Sequence, residues 1–273
     1  MLPVMFHPIL DIPRIGGQLF LADLGSEVVG IEQLRGRTVV LRQTSSQEFV
    51  SFEVHDVPTL REPVFTSDTV TAHFGEIDPE GVVSMSLRTG HRLFVSRPEA
   101  EFALMGSRVY VARHGTPGWR KREFVEVNVQ EHPTAVVAVS GRLWLFNTFS
   151  SLHAYSFEGE RELSIPVPWD GDIESVVVRS ERIYIALPNG SVFRFDSQTR
   201  QLRRLFVGPA GPIALGVAAD EQLIAVTTGY SQIKLHVFRL DGTSVLEEES
   251  VDALIQGDHL AFVRGRQLYR WHE

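Results

Sequence analysis

The chain has 273 residues, 43% apolar and 22% charged, enough to bury a sizeable core without metal or disulfide staples. It contains no cysteine, which excludes disulfides, thiolate metal sites and cysteine nucleophiles. Its net charge of −8, from 34 acidic and 26 basic side chains, opposes the basic field that binding to nucleic-acid phosphates requires.

The N-terminal ten residues lack a basic flank, and Pro3 and Pro8 interrupt their apolar run, so they do not read as a secretory signal. No apolar stretch approaches the roughly 18–20 residues that span a bilayer. The sequence therefore predicts a soluble, cytoplasmic protein with no membrane partner.

Short β-rich runs separated by Gly, Asp, Asn, Ser or Pro turns make up the rest of the chain. Gln18–Asp23 is the first predicted strand. Seven hairpins follow, pairing residues 27–33 with 38–42, 61–66 with 69–74, 101–106 with 108–113, and 134–139 with 142–147. The last three pair 173–178 with 182–187, 213–218 with 222–227, and 251–256 with 259–264. The first apolar residues of the second strands are Val39, Val70, Val109, Leu143, Ile183, Leu223 and Leu260. Their spacings are 31, 39, 34, 40, 40 and 37 residues.

A period of about 40–45 residues with third and fourth strands behind each hairpin is the unit of a β-propeller blade. The expectation is an all-β, seven-bladed propeller spanning 1–273 as one domain. A six-bladed ring with one irregular pair as an insertion stays open. The chain ends on a strand at 266–271 with no fourth strand behind it. Gln18–Asp23 is expected to complete that last blade and close the ring, leaving no open edge. Second-strand residues such as Trp144 and Tyr184 are expected to pack between blades.

The hairpin Asn189-Gly-Ser-Val-Phe-Arg-Phe-Asp196, followed by Thr199, resembles the blade hairpins of WD-repeat and quinoprotein-like propellers. Residues 234–243, with Asp241-Gly242 in the turn, form a looser copy. The Gly-His and Trp-Asp signatures of WD repeats are missing, since Trp169-Asp170 precedes a first strand rather than ending a third. Compact propellers of this degenerate kind look like accessory modules of bacterial regulatory or defence systems, an implication of the resemblance alone.

No catalytic, cofactor-binding or metal-ligating residue is assigned. His55, His91, His114, His132, His153 and His259 are scattered, with no compact ligand spacing. Asp170, Asp172 and Glu174 could serve a carboxylate site, as in glycoside hydrolysis, but read more simply as a turn between repeats. No nucleophile elbow or phosphate loop occurs.

The most informative segment is 113–122, in which Trp119 stands beside Arg120, Lys121 and Arg122. On a propeller its loop shares a face with Phe149, Trp169, Asp170 and Tyr230. Aromatic and arginine side chains are enriched at binding hot spots. The sequence thus predicts a non-enzymatic protein-interaction module or scaffold, monomeric on its own, whose partner is another protein. A propeller hydrolase or small-ligand binder, with its site at the mouth of the central channel, is the competing expectation.

Overall fold

The computed structural model describes residues 6–24, 26–34, 37–44, 48–54, 60–65, 69–74, 81–87, 92–93, 102–105, 108–113, 123–127, 135–146, 151–156, 160–169, 173–229, 232–257 and 259–271. All the regular structure among them is β. By backbone proximity the chain divides into two compact units: Met1–Asp11, Pro133–Ser156 and Glu160–Glu273 in one, and Ile12–His132 with Phe157–Gly159 in the other.

In the second of these units, β2 (Gln18–Asp23), β3 (Val28–Leu34), β4 (Arg37–Gln43) and β5 (Phe49–Val54) pair antiparallel in chain order. A second sheet holds β6 (Leu60–Phe65), β7 (Thr69–Phe74), β8 (Gly81–Ser86) and the two-residue β9 (Arg92–Leu93). A third holds β10 (Phe102–Met105), β11 (Arg108–Arg113) and β12 (Glu123–Val127). Val29, Ile31 and Val40 pack with Val70, Met85 and Leu87, burying the apolar face between the first two sheets.

The other unit contains three further sheets. They are β13 (Ala135–Val139) to β16 (Arg161–Pro166), through β14 (Arg142–Phe146) and β15 (Ser151–Tyr155); β17 (Ser175–Arg179) to β20 (Gln201–Val207), through β18 (Arg182–Ala186) and β19 (Ser191–Asp196); and β21 (Pro212–Val217) to β24 (Ser244–Val251), through β22 (Leu223–Thr228) and β23 (Ile233–Arg239). β25 (Ala253–Gly257), β26 (Ala261–Arg264) and β27 (Gln267–Trp271) follow, and β27 also pairs with β1 (Phe6–Asp11).

Alternation puts successive side chains of each strand on opposite faces, so both faces of an inner strand can be apolar. On β18, Ile183 and Ile185 face Trp144, Phe146, Leu152 and Ala154 of the preceding sheet. Tyr184 and Ala186, one residue out of phase, face Leu215, Val217, Ile224 and Val226 of the next. Trp144 is 1% exposed and Tyr184 fully buried, which places both between sheets as the sequence expects. Burying a large apolar side chain is worth about 1.5–3 kcal/mol, so these layers carry much of the stability.

The turns follow from local chemistry. Ser140 and Gly141 both adopt positive φ between β13 and β14, the geometry that lets a tight turn match the twist of its strands. Asp196 Oδ1 accepts from the backbone N–H groups of Gln198 (3.1 Å) and Thr199 (2.8 Å), closing the β19–β20 turn. Those amide donors, Thr199 first, hold the Asp196 carboxyl below its ordinary range.

The repeated hairpins are present, but the expected seven-bladed ring is not. Among the described residues no sheet closes into a barrel or a propeller ring, and β10–β12 has only three strands. Gln18–Asp23 does not pair with the C-terminal strand. It pairs along its whole length with β3, from Gln18↔Gln33 to Asp23↔Val28. The strand that lies on β27 is β1, from Phe6↔Trp271 to Asp11↔Gln267. The short first spacing of 31 residues has the same origin. Val39 sits on the third strand of its sheet, whereas Val70 sits on a second.

Candidate partner-binding edge

The buried polar side chains of the described residues are largely engaged in holding the fold. The Glu32 carboxylate, fully buried on β3, accepts from Arg14 Nε at 2.8 Å and from the backbone N–H groups of Ile15 (2.7 Å), Gly16 (3.0 Å) and Gly17 (2.9 Å). It pins the segment before β2 against the strand. Gly17 is required there, because a Cβ would lie 2.1 Å from the Gln33 carbonyl oxygen.

A second carboxylate, Glu221, sits at the turn before β22 and joins two sheets. It accepts from Arg182 Nη1 at 2.8 Å and from the Tyr184 hydroxyl at 2.5 Å. Burial and then the Glu221 hydrogen bond push the Tyr184 phenol well above its usual value, because both disfavour phenolate. Two more bonds cross the same layer: Arg179 Nη2 donates to the Val217 carbonyl at 3.0 Å, and the Leu215 N–H to Ser175 Oγ at 3.1 Å. These are structural ties between the two sheets. No group of three or more His, Asp or Glu side chains placed to hold a metal occurs among the described residues.

The outermost strands differ from one another. On β5, Glu53 meets Arg37 at 2.9 Å, and on β16 Glu162 meets Arg142. On β24, Glu248 and Glu249 meet Arg264 (3.1 Å) and Lys234 (2.7 Å), and Glu247 lies 3.8 Å from His236. Each of these edges matches its charges against the neighbouring strand or sheet.

On β20 that matching is missing. Arg200, at the turn, and Arg203 and Arg204, on the strand, are exposed, and none has an ion pair or hydrogen bond among the described residues. In register, Arg203 lies opposite Arg194 of β19, and Arg204 opposite Phe193. Like charges directly across a strand pair are destabilising. Val207, at the end of the same strand, is 60% exposed, one of two large apolar residues so exposed among the described residues. The nearest acid in sequence, Asp196, is occupied by the β19–β20 turn. The outer side of β20 pairs with no other strand among the described residues. The arrangement is an open, basic strand edge with an apolar contact at one end.

Of the residues expected to bind a partner, Trp119, Arg120, Lys121, Arg122, Phe149, Asp170 and Tyr230 lie outside the described residues. Trp169 is described, and it is not an exposed loop aromatic. It is 8% exposed, packed in the core between the β13–β16 and β17–β20 sheets, with its ring 4.7 Å from that of Phe193. His153 is likewise buried, and Glu174 is exposed with its backbone N–H donating to the Ala186 carbonyl at 3.0 Å. Sequence reasoning passed over Arg200, Arg203 and Arg204, although three cations within five residues in an acidic chain are a readable signal.

No family model matches the chain, and no curated protein matches it. Among solved structures, the crystal structure of the computationally designed Ika8 protein is similar, with a TM-score of 0.54 at 10% identity. The similarity covers 97% of this chain and 99% of that one. At that identity the likeness shows the fold alone. The class of protein defined here is therefore an all-β protein of repeated strand hairpins. Among its described residues no helix is long and apolar enough to cross a membrane.

Proposed function

We propose that this protein is a non-enzymatic interaction module that binds an acidic surface of another protein, with β20 as one of its contact edges. The observation that supports this reading is the unmatched set Arg200, Arg203 and Arg204, in a chain of net charge −8 whose β5, β16 and β24 edges pair their charges internally. Keeping like charges together costs repulsion, and a partner's carboxylates would relieve it. Such a surface speeds association by electrostatic steering more than it adds affinity. The 113–122 segment adds Arg120, Lys121 and Arg122 beside Trp119, a set of the same sign that suits the same class of partner.

The test is quantitative capture of partners from cells that naturally make the protein, comparing the parent with the double variant Arg203→Glu, Arg204→Glu. The variant should melt like the parent and lose an acidic partner that the parent retains. An unchanged partner set, in unchanged amounts, would overturn the reading.

A further inference from the structure

The chemistry of the β20 edge points beyond a general preference for acidic surfaces. Resting on the reading above, we infer that the partner docks as an extended acidic segment that adds a strand to β20, its carboxylates on Arg200, Arg203 and Arg204 and an apolar residue on Val207. An extended segment can satisfy the outward backbone groups of an edge strand, and side chains at alternate positions then provide specificity.

Three features of β20 favour this mode. The strand runs seven residues without proline, so no backbone donor is missing along its length. Its inner side pairs with β19 from Asp196↔Gln201 to Ser191↔Val207, apart from one irregularity between Val192 and Phe193, which holds the outer side extended. Its charges are all of one sign. A row of arginines repels a second β20 from another copy of the chain, and it accepts a strand bearing carboxylates. The feature that protects a free edge from self-association therefore also selects its partner.

Arg194 of β19 lies directly opposite Arg203 in register, so Arg203 has a cation rather than a carboxylate on its inner side, and a carboxylate arriving on its outer side would make charge-assisted hydrogen bonds.

The full chain is titrated with a labelled glutamate–valine peptide, consecutive glutamates that reach both faces of the strand followed by a valine. Three controls accompany it: the same peptide with a central proline, a lysine–valine counterpart and a single-stranded oligonucleotide. The acidic peptide should bind, weaken by about tenfold or more on Arg203→Glu with Arg204→Glu, and weaken with added salt. The proline-interrupted and lysine peptides should bind at least about tenfold more weakly than the acidic one.

Equal binding of the proline-interrupted peptide would overturn strand addition while leaving an acidic partner intact. Oligonucleotide binding that is stronger than the peptide's and lost in the same variant would replace the protein partner with nucleic acid. Absence of peptide binding would also reject strand addition. The capture experiment then decides independently whether the β20 arginines bind any partner. Salt-sensitive dimerisation of the chain alone, lost in the variant, would assign the edge to a second copy, whose β24 strand carries Glu247, Glu248 and Glu249.

Discussion

Tyr184 of β18 donates its hydroxyl hydrogen to the Glu221 carboxylate at 2.5 Å, and so links the second strand of one sheet to the turn that opens the second strand of the next. Arg182, two residues earlier on β18, donates to the same Glu221 oxygen, which therefore has two donors from one strand. Trp144 stands one repeat earlier, at Tyr184's place on its own second strand. There the contact is apolar instead, against Phe195 with ring centroids 4.8 Å apart.

Tyr184→Phe removes one donor from a buried carboxylate and should destabilise the fold by about 1–3 kcal/mol. It should also change the alkaline limb of the stability profile. The phenol's folded value is raised above its ordinary 10.0, so its contribution is complete below that pH and falls as pH rises above it. Chemical denaturation at neutral and alkaline pH checks this. The parent should lose stability above about pH 10 more steeply than the variant. Parallel slopes would place the phenol outside the linkage.

Glu32 offers a separate test within the other unit. Glu32→Gln keeps the shape but leaves Arg14 without its carboxylate and turns an amide N–H₂ towards the amide donors of residues 15–17. Breaking a buried pair on one side costs about 3–5 kcal/mol. Hydrogen exchange should show the Ile15, Gly16 and Gly17 amides opening faster, together with a lower melting temperature. Unchanged exchange at those three amides would show that the segment is held by other contacts.

Trp169 discriminates a core role from a contact role. With its ring against Phe193 and only 8% exposed, Trp169→Ala should cost about 3–5 kcal/mol in unfolding free energy. Partner binding by the folded fraction should be unaffected. A stable variant with weakened binding would return Trp169 to the surface.

Much of the strand layout was legible because it depends on local pattern. The hairpins at 134–147, 173–187 and 213–227 reappear as β13–β14, β17–β18 and β21–β22, since alternating apolar runs around turn residues leave few other structures. The burial of Trp144 and Tyr184 was legible for the same reason. Which strand lies beside which was not. Phe6–Asp11 and Gln18–Asp23 are both short apolar runs, and periodicity cannot say which of them pairs with Gln267–Trp271. Pro8 sits within β1 at the point where its register with β27 shifts. Trp169 stands beside Asp170-Gly171-Asp172, and a turn-rich neighbour says nothing about where an indole points. The arginines of β20 were visible as residues, but their lack of carboxylate partners is a property of the assembled sheets.

Hydrogen exchange of the β20 amides, from Arg203 to Val207, measured with and without a saturating acidic partner or the glutamate–valine peptide, tests the central claim most directly. Amides on the free side of the strand should exchange more slowly in the complex, with those of β5 and β24 unchanged, and the protection should disappear in Arg203→Glu, Arg204→Glu. Binding that leaves the β20 amides unprotected, or protects them equally in the charge-reversed variant, would contradict it.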